Sequence, residues 1–228
     1  MLVVNIILFG ATGMVGQGVL RECLESSDVD SVQTIGRTSV DQTHPKLHQV
    51  IHQNMFDYSA IESQLSNFDV CFFCLGVSAV GMTEEKYSHL TYDLTLAAAN
   101  VLARLNPQMV FVYVSGTGTD STEKGASMWA RVKGETENAL LRLPFKAVYL
   151  FRPGLIVPMH GVKSKTTLYR VFYSFFKPLL PILRKFLPNY ALTTSVVGKA
   201  MLSVAKHGYA NAILESRDIN QVASIGTT

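Results

Sequence analysis

The sequence predicts an α/β fold in which helices cover both faces of a doubly wound, parallel β-sheet. Apolar runs of strand length alternate along the chain with segments of helical periodicity. The first apolar run, residues 2–9, leads directly into a turn with three glycines, and apolar residues at helical spacing follow that turn. A strand, a glycine-rich turn and a helix in this order are typical of a Rossmann-type domain. We therefore expect one such domain over residues 1–228, with a small helical C-terminal extension over 159–228.

The glycine turn is the first candidate binding site, and it comprises Gly10, Ala11, Thr12, Gly13, Met14, Val15 and Gly16. Gly10 permits a sharp turn off the strand, and Gly13 leaves room for phosphates to approach the backbone. Gly16 permits close packing of the helix against the strand. The free N–H groups of the first helical turn would face an anion, so we expect the diphosphate of a dinucleotide here. A generic strand-to-helix turn does not need this spacing of three glycines.

Composition and charge exclude several other classes of protein. Hydrophobic residues make up 48% of the chain and charged residues 16%, which is typical of a globular domain and not of a disordered chain. A net charge of +3 is too small to indicate nucleic-acid binding on its own. Residues 1–20 carry no charge, but the glycine turn would interrupt a membrane-spanning helix. We expect a cytoplasmic protein without a transmembrane segment, either a monomer or a homodimer.

The end of the second predicted strand, residues 31–37, indicates which cofactor binds. Folds that prefer NAD usually carry an acidic residue at this point, where it holds the ribose hydroxyls. Arg37 takes that place here, and a guanidinium suits the additional 2′-phosphate of NADP. We therefore expect NADP as the cofactor, with NAD as the second choice. The alternative is that Arg37 is a solvated surface residue.

Two further segments are candidate contacts for the two ends of the cofactor. Asp57 could accept a hydrogen bond from the adenine amino group, or it could cap the helix that begins near Tyr58. The sequence leaves both interpretations open. At the other end, Pro153, Gly154 and Leu155 follow the sixth predicted strand, and such a rigid, extended segment could present backbone groups to the nicotinamide carboxamide.

Other candidates lie where later strands end. The apolar run over 68–76 ends at Leu75 and Gly76, and a glycine there lets the backbone pass close to a cofactor. The fifth predicted strand, over 110–114, delivers Ser115 at its carboxyl end, where open α/β sheets bind their ligands.

Cysteine and histidine spacing gives no indication of a disulfide or a metal site. Cys71 and Cys74 have CxxC spacing, but residues three apart on a strand point to opposite faces, so we expect two buried structural cysteines. Histidines recur four apart at positions 44, 48 and 52, but Pro45 would interrupt a helix that placed them on one face. We therefore expect no bound metal.

Together these features resemble the atypical short-chain dehydrogenase/reductases, and within them the Tat-interacting oxidoreductase and NmrA-like group. The resemblance rests on the glycine turn, the strand end at 74–76, Ser115, Lys133 and the segment 151–154. It implies NAD(P) binding and oxidoreductase activity. In that family a Tyr four residues before the Lys acts as general acid or base. The Lys lowers the pKa of this Tyr and holds the nicotinamide ribose, and the Ser polarises the substrate carbonyl.

The chain departs from this pattern at the catalytic tyrosine. The residue four before Lys133 is Trp129, whose indole N–H is a donor only and cannot shuttle a proton. Ser115 and Lys133 remain as candidate catalytic residues. Two functional classes therefore stay open. One is an NADP(H)-dependent oxidoreductase on an unknown small apolar substrate, and the other is a non-catalytic NADP(H)-binding redox sensor or partner-binding protein.

The segment 166–187 combines apolar and aromatic residues at helical spacing with interleaved basic residues. It could cover the substrate or form a dimer face, it could be core for the C-terminal region, or it could contact an anionic membrane surface. Because Pro178 and Pro181 would interrupt a flat interfacial helix, we favour a lid or core role over membrane contact.

Overall fold

The computed structural model describes residues 3–159 and 191–225. Its strands are β1 (Val4–Phe9), β2 (Val29–Gly36), β3 (Leu47–Ile51), β4 (Val70–Phe73), β5 (Val110–Val114), β6 (Ala147–Arg152), β7 (Leu155–Val157), β8 (Ala191–Thr193) and β9 (Ile213–Glu215). Seven of them form one parallel sheet in the order β3-β2-β1-β4-β5-β6-β9. A separate parallel pair joins β7 to β8. The predicted Rossmann-type fold is confirmed.

Helices connect the strands on both sides of the sheet. They are α1 (Met14–Glu25), α2 (Glu84–Ser88), α3 (Leu94–Leu105), α4 (Met128–Leu141), α5 (Thr194–His207) and α6 (Ser216–Ile225). A π-helical turn, His89–Asp93, joins α2 to α3, and a 3₁₀ turn, Ser59–Gln64, precedes β4. Within the described ranges, no helix combines the length and apolar character that crossing a membrane requires.

The central strands are mostly apolar because both of their faces are buried. In β1, Ile6 and Leu8 pack into the layer that contains α1, α5 and α6. Their neighbours Ile7 and Phe9 pack into the opposite layer, with α3. This alternation explains why the strands show no polar face in the sequence.

The described part of the C-terminal region completes the same sheet. The late strand β9 pairs with β6 at the edge of the sheet. Helix α5 crosses α1 so closely that a Cβ on Gly18 would lie 2.5 Å from the Cβ of Thr194. The segment 166–187, for which a lid, core or membrane role was considered, lies outside the described residues.

Candidate functional site

A cleft of about 1050 Å³ runs along the carboxyl ends of the parallel strands. Its walls come from the turn after β1, the end of β2, the loops after β4 and β5, helix α4 and the segment after β6. The charged side chains among its described lining residues are Arg37 and Lys133, and no aspartate or glutamate is among them. Ligands of open α/β sheets bind at this edge, and the two cations favour an anionic one.

The glycine turn is held in place by contacts that only glycine permits. Gly10 has a φ of +81°, and a Cβ there would lie 2.7 Å from the backbone of Cys74. A Cβ on Gly16 would lie 2.1 Å from the carbonyl oxygen of Gly10, so α1 packs directly on the turn. Gly13 differs, because the nearest described atom to a Cβ there is the Gly10 oxygen at 3.2 Å, and Gly13 lines the cleft. Space is therefore left on the cleft side of Gly13.

The start of α1 fits a diphosphate group. No side chain caps the first turn of the helix, and no acidic residue lies in it. Thr12, Met14 and Val15 line the cleft together with Gly13. Free N–H groups and the positive end of the helix dipole thus meet the space that Gly13 leaves open, which is the arrangement that binds phosphates.

The end of β2 places Arg37 in the cleft lining, where its side chain is exposed. Among the described residues its guanidinium has no hydrogen bond or ion pair, whereas its backbone carbonyl accepts a bond of 2.9 Å from Gln53 Nε2. Thr38 lines the same part of the cleft. A guanidinium without a protein partner at this point is free to bind a ligand phosphate.

Asp57 is not among the residues that line the cleft. Its Oδ1 accepts a hydrogen bond of 2.9 Å from the backbone N–H of Ser59, at the start of the 3₁₀ turn. This bond holds the pKa of the Asp57 carboxyl below its usual value. The structure therefore supports the capping interpretation and not the contact with adenine, while Gln53 and Met55 line the cleft nearby.

Ser115 lies in the cleft at the end of β5, but its hydroxyl is engaged within the protein. Its Oγ donates to Glu137 Oε1 at 2.5 Å and lies 3.1 Å from the carbonyl oxygen of Phe151. Glu137, on α4, is fully buried and forms a double hydrogen bond with the guanidinium of Arg152 at the end of β6. Arg152 also approaches Glu215, with 3.6 Å between Nη1 and Oε1. A buried ion pair thus supports the floor of the cleft beneath Ser115.

Trp129 and Lys133 lie one turn apart on α4, and both line the cleft. The Lys133 ammonium lies 5.6 Å from the ring centroid of Tyr113 and has no hydrogen bond or ion pair among the described residues. Burial lowers the pKa of Lys133 to about 8, and the Glu137 carboxylate opposes that shift. The Trp129 ring edge lies 3.3 Å from where a Cβ on Gly118 would stand, so the ring packs over that glycine.

The remaining candidates lie on the loops after β4 and β6. Leu75 and Gly76 line the cleft, and a Cβ on Gly76 would have no described atom within 4 Å. Pro153 and Gly154 line it as well, but the N–H of Gly154 already donates to Ser216 Oγ at 2.8 Å. Leu155 lies outside the lining, which Ile156 reaches instead.

Sequence reasoning missed part of this site. Glu137 was not singled out, and Arg152 was named only within the segment 151–154, although an arginine at the end of an apolar strand is a signal that could have been used. Cys71 is buried as expected, but Cys74 is partly exposed and belongs to the cleft, so the expectation of two buried cysteines is wrong for Cys74. Among the residues that the structure describes, no group of three or more His, Cys, Asp or Glu could hold a metal ion.

Comparison with known proteins finds several relatives of the chain. No protein family model matches it. It is 28% identical to the protein fmp52, mitochondrial, of Emericella nidulans over 207 residues, which covers 87% of this chain and 86% of that protein. It is 26% identical to the protein HTATIP2 of Rattus norvegicus over 67% of this chain, but covers only 63% of that protein.

Solved structures agree on the fold. WbmF of Bordetella bronchiseptica in complex with NAD⁺ has a TM-score of 0.68 at 14% identity, over 99% of this chain and 79% of that one. A short-chain dehydrogenase family protein of Francisella tularensis has a TM-score of 0.68 at 12% identity, over 96% of this chain and 99% of that one. In sequence the chain is similar to the FMP52 and HTATIP2 proteins, and in fold it is similar to short-chain dehydrogenase structures. One of these structures, WbmF, was solved with NAD⁺ bound.

The expectation of a cytoplasmic protein is contradicted. The FMP52 relatives from Emericella nidulans, Aspergillus niger and Candida albicans all carry the word mitochondrial in their names. The features used for the expectation, which were an uncharged start and the glycine turn, concern membrane spanning and carry no information on the compartment.

Proposed function

We propose that the protein is an oxidoreductase that binds NADP(H) and transfers a hydride between this cofactor and a small apolar substrate. The observation that favours NADP(H) over NAD(H) is the charge of the cleft. The free guanidinium of Arg37 stands at the end of β2, where an NAD-binding fold would place a carboxylate, and no described lining residue is acidic. An additional 2′-phosphate would thus meet a cation and no like charge.

The remaining roles follow from the positions of the site residues. The diphosphate would bind the turn at Gly13, and Lys133 would bind the hydroxyls of the nicotinamide ribose. When bound, the cofactor supplies the hydride. Ser115 would limit the substrate space from the β5 side, and the segment at Pro153 and Gly154 would border the nicotinamide.

Isothermal titration calorimetry with NADP⁺ and NAD⁺ tests the cofactor preference. We expect tighter binding of NADP⁺, and we expect Arg37→Ala to narrow the difference by about 1.5–3 kcal/mol, because a hydrogen bond to a charged group is lost. Arg142→Ala is the matched control, since Arg142 is an exposed arginine outside the cleft lining. Equal affinities of the parent protein for the two nucleotides would refute the NADP(H) assignment.

A second function, that of a non-catalytic NADP(H) sensor, is favoured by one observation. Trp129 stands where the family carries its proton donor, and an indole cannot replace it. Steady-state NADPH oxidation separates the two functions. Turnover with no acceptor in a panel of ketones, aldehydes and quinones, together with normal NADPH binding, would support the sensor.

The relatives also suggest a location. Because several FMP52 proteins are named mitochondrial, we propose that this protein acts in mitochondria. Subcellular fractionation with an antibody against the protein tests this, and enrichment in the cytosol over mitochondria would contradict it.

A further inference from the structure

The hydroxyl groups next to α4 donate their hydrogen bonds to other groups of the protein. The Ser115 hydroxyl donates to Glu137 Oε1, and the Thr117 hydroxyl donates to the carbonyl oxygen of Arg152 at 2.9 Å. Neither can donate to a substrate oxygen without losing a bond to a partner inside the protein. Tyr87 lines the cleft too, but it is only 2% exposed. Among the described residues next to α4, the hydroxyls of Ser115, Thr117 and Tyr87 therefore offer no free donor that could stand in for the family's tyrosine.

In contrast to these hydroxyl groups, the Lys133 ammonium keeps its protons available, because it lacks a hydrogen-bond or ion-pair partner in the described part of the chain. Trp129, one turn away, adds a large aromatic surface to the same wall. Val77 and Val80, on the loop after β4, also line the cleft and are 42% and 75% exposed. The site thus combines a flat aromatic surface, apolar neighbours and one ammonium, which suits a flat, neutral molecule whose oxygen becomes negative during the reaction.

The product of the reaction decides which substrates such a site can reduce. Reduction of an ordinary ketone produces an alkoxide, whose conjugate acid is about as weak as water. Reduction of a quinone produces a phenolate, whose conjugate acid has a pKa of about 10, as in tyrosine. A ketone therefore depends on a well-placed acid during hydride transfer, whereas a quinone depends on it much less.

We propose that the substrate is a quinone, which lies against Trp129 with one oxygen next to the ammonium of Lys133. This proposal rests on the proposed function, since the bound cofactor supplies the hydride. The quinone accepts a hydride, which is two electrons and one proton, and becomes the hydroquinone monoanion, while the nicotinamide is oxidised. Lys133 gives its proton to the anionic oxygen and regains one from water. The balance is quinone + NADPH + H⁺ → hydroquinone + NADP⁺.

The protonation of Lys133 suits this role. Burial lowers its pKa to about 8, so the ammonium is the main form at neutral pH and yet gives up its proton far more readily than an exposed lysine. The face of Tyr113 below the ammonium offers it attraction without an acceptor for its protons. The proton is therefore available to a ligand in the cleft.

Trp129 is the single tryptophan of the chain, so its fluorescence reports binding directly. We would titrate the protein without cofactor with tetramethyl-1,4-benzoquinone, whose fully substituted ring does not add to the three cysteine thiols. We expect saturable quenching, with one binding site by calorimetry. Linear quenching equal to that of N-acetyltryptophanamide would overturn the proposal. Because no nucleotide is present, this result is independent of cofactor affinity.

Turnover provides the second measurement. At saturating NADPH, we expect the parent to reduce tetramethyl-1,4-benzoquinone at least tenfold faster than cyclohexanone, with kcat/KM falling above about pH 8 as Lys133 loses its proton. Lys133→Met should lower kcat at least tenfold, and Lys133→Arg should move the fall in kcat/KM to higher pH. Lys199→Met, which removes an exposed lysine of α5 outside this cleft, is the control.

Each unfavourable result has a distinct meaning. Cyclohexanone reduced as fast as the quinone, or Lys133→Met with the parental kcat and pH profile, would overturn the proposed substrate and the role of Lys133. Absence of NADPH binding by calorimetry would instead refute the proposed function, whatever the fluorescence titration shows.

Discussion

Replacement of Glu137 by glutamine tests the ion pair beneath the site. Glu137 is fully buried, and its two oxygens together accept bonds from Ser115 and Arg152. In Glu137→Gln, one oxygen becomes an NH₂ group that faces donors instead of accepting from them. The Arg152 guanidinium keeps its charge, but its nearest remaining carboxylate is that of Glu215, at 3.6 Å and half exposed.

The expected loss of stability is large. Removal of one partner from a buried ion pair costs about 3–5 kcal/mol, because the other charge stays buried without compensation. For a domain of this size, each kcal/mol corresponds to about 2–4 °C, so we expect the melting temperature to fall by about 6–20 °C. The pKa of Lys133 should also fall in this variant, because the Glu137 carboxylate raises it in the parent protein.

Urea unfolding followed by circular dichroism measures the free energy of unfolding of parent and variant. Glu62→Gln is the matched control, because Glu62 pairs with Arg104 on the surface, where such pairs contribute little. If Glu137→Gln lowers the free energy of unfolding by no more than Glu62→Gln does, the reasoning is refuted, because the ion pair would then not hold a buried charge.

Three further predictions concern the site. Gly13→Val should abolish NADP⁺ binding in calorimetry while the protein stays folded, whereas Gly16→Val should prevent folding, because its Cβ would clash with the Gly10 carbonyl; a Gly13→Val variant with parental affinity would contradict the placement of the diphosphate. Burial lowers the pKa of Lys133 to about 8, so the unfolded chain binds more protons than the folded one between about pH 8 and 10.5, and this residue makes folding more favourable as pH rises through that range. Lys133→Met should remove this rise in the free energy of unfolding, as measured by urea unfolding. If the free energies of parent and variant differ by the same amount at every pH in that range, Lys133 does not contribute to the pH dependence. Trp129→Tyr should raise the rate of cyclohexanone reduction at saturating NADPH, because it restores a proton donor one turn before Lys133; no change in a folded variant that binds NADPH would show that the position alone does not create the acid.

The fold could be predicted because its signals are local. The central strands are mostly apolar runs. The glycines of the turn after β1 stand where the close contacts of Gly10 and Gly16 require them. Thr83 illustrates the same point for a helix start, since its Oγ1 accepts the N–H of Lys86 as an N-cap residue is expected to do. The parallel connections then follow from the alternation of strands and helices.

The parts that could not be predicted depend on contacts between residues distant in sequence. Glu137 meets Ser115 from 22 positions away and Arg152 from 15 positions away, so neither pattern nor spacing shows the pair. Asp57 failed as a contact for adenine for the opposite reason. Its partner is only two residues away, and that local bond directs the carboxylate into the turn rather than into the cleft.

The same ion pair connects the support of the site to its chemistry. Because Glu137 is buried and paired with Arg152, it stays a strong acceptor, and it holds the Ser115 proton in the floor of the cleft. A serine held in this way cannot compensate for a missing tyrosine, and Trp129 cannot do so either. Among the described residues next to α4, Lys133 keeps protons to give, and a lysine with a lowered pKa protonates a phenolate far more easily than an alkoxide. Under the proposed function, a tryptophan at position 129 restricts the substrates to those with weakly basic products, and it does not by itself abolish hydride transfer.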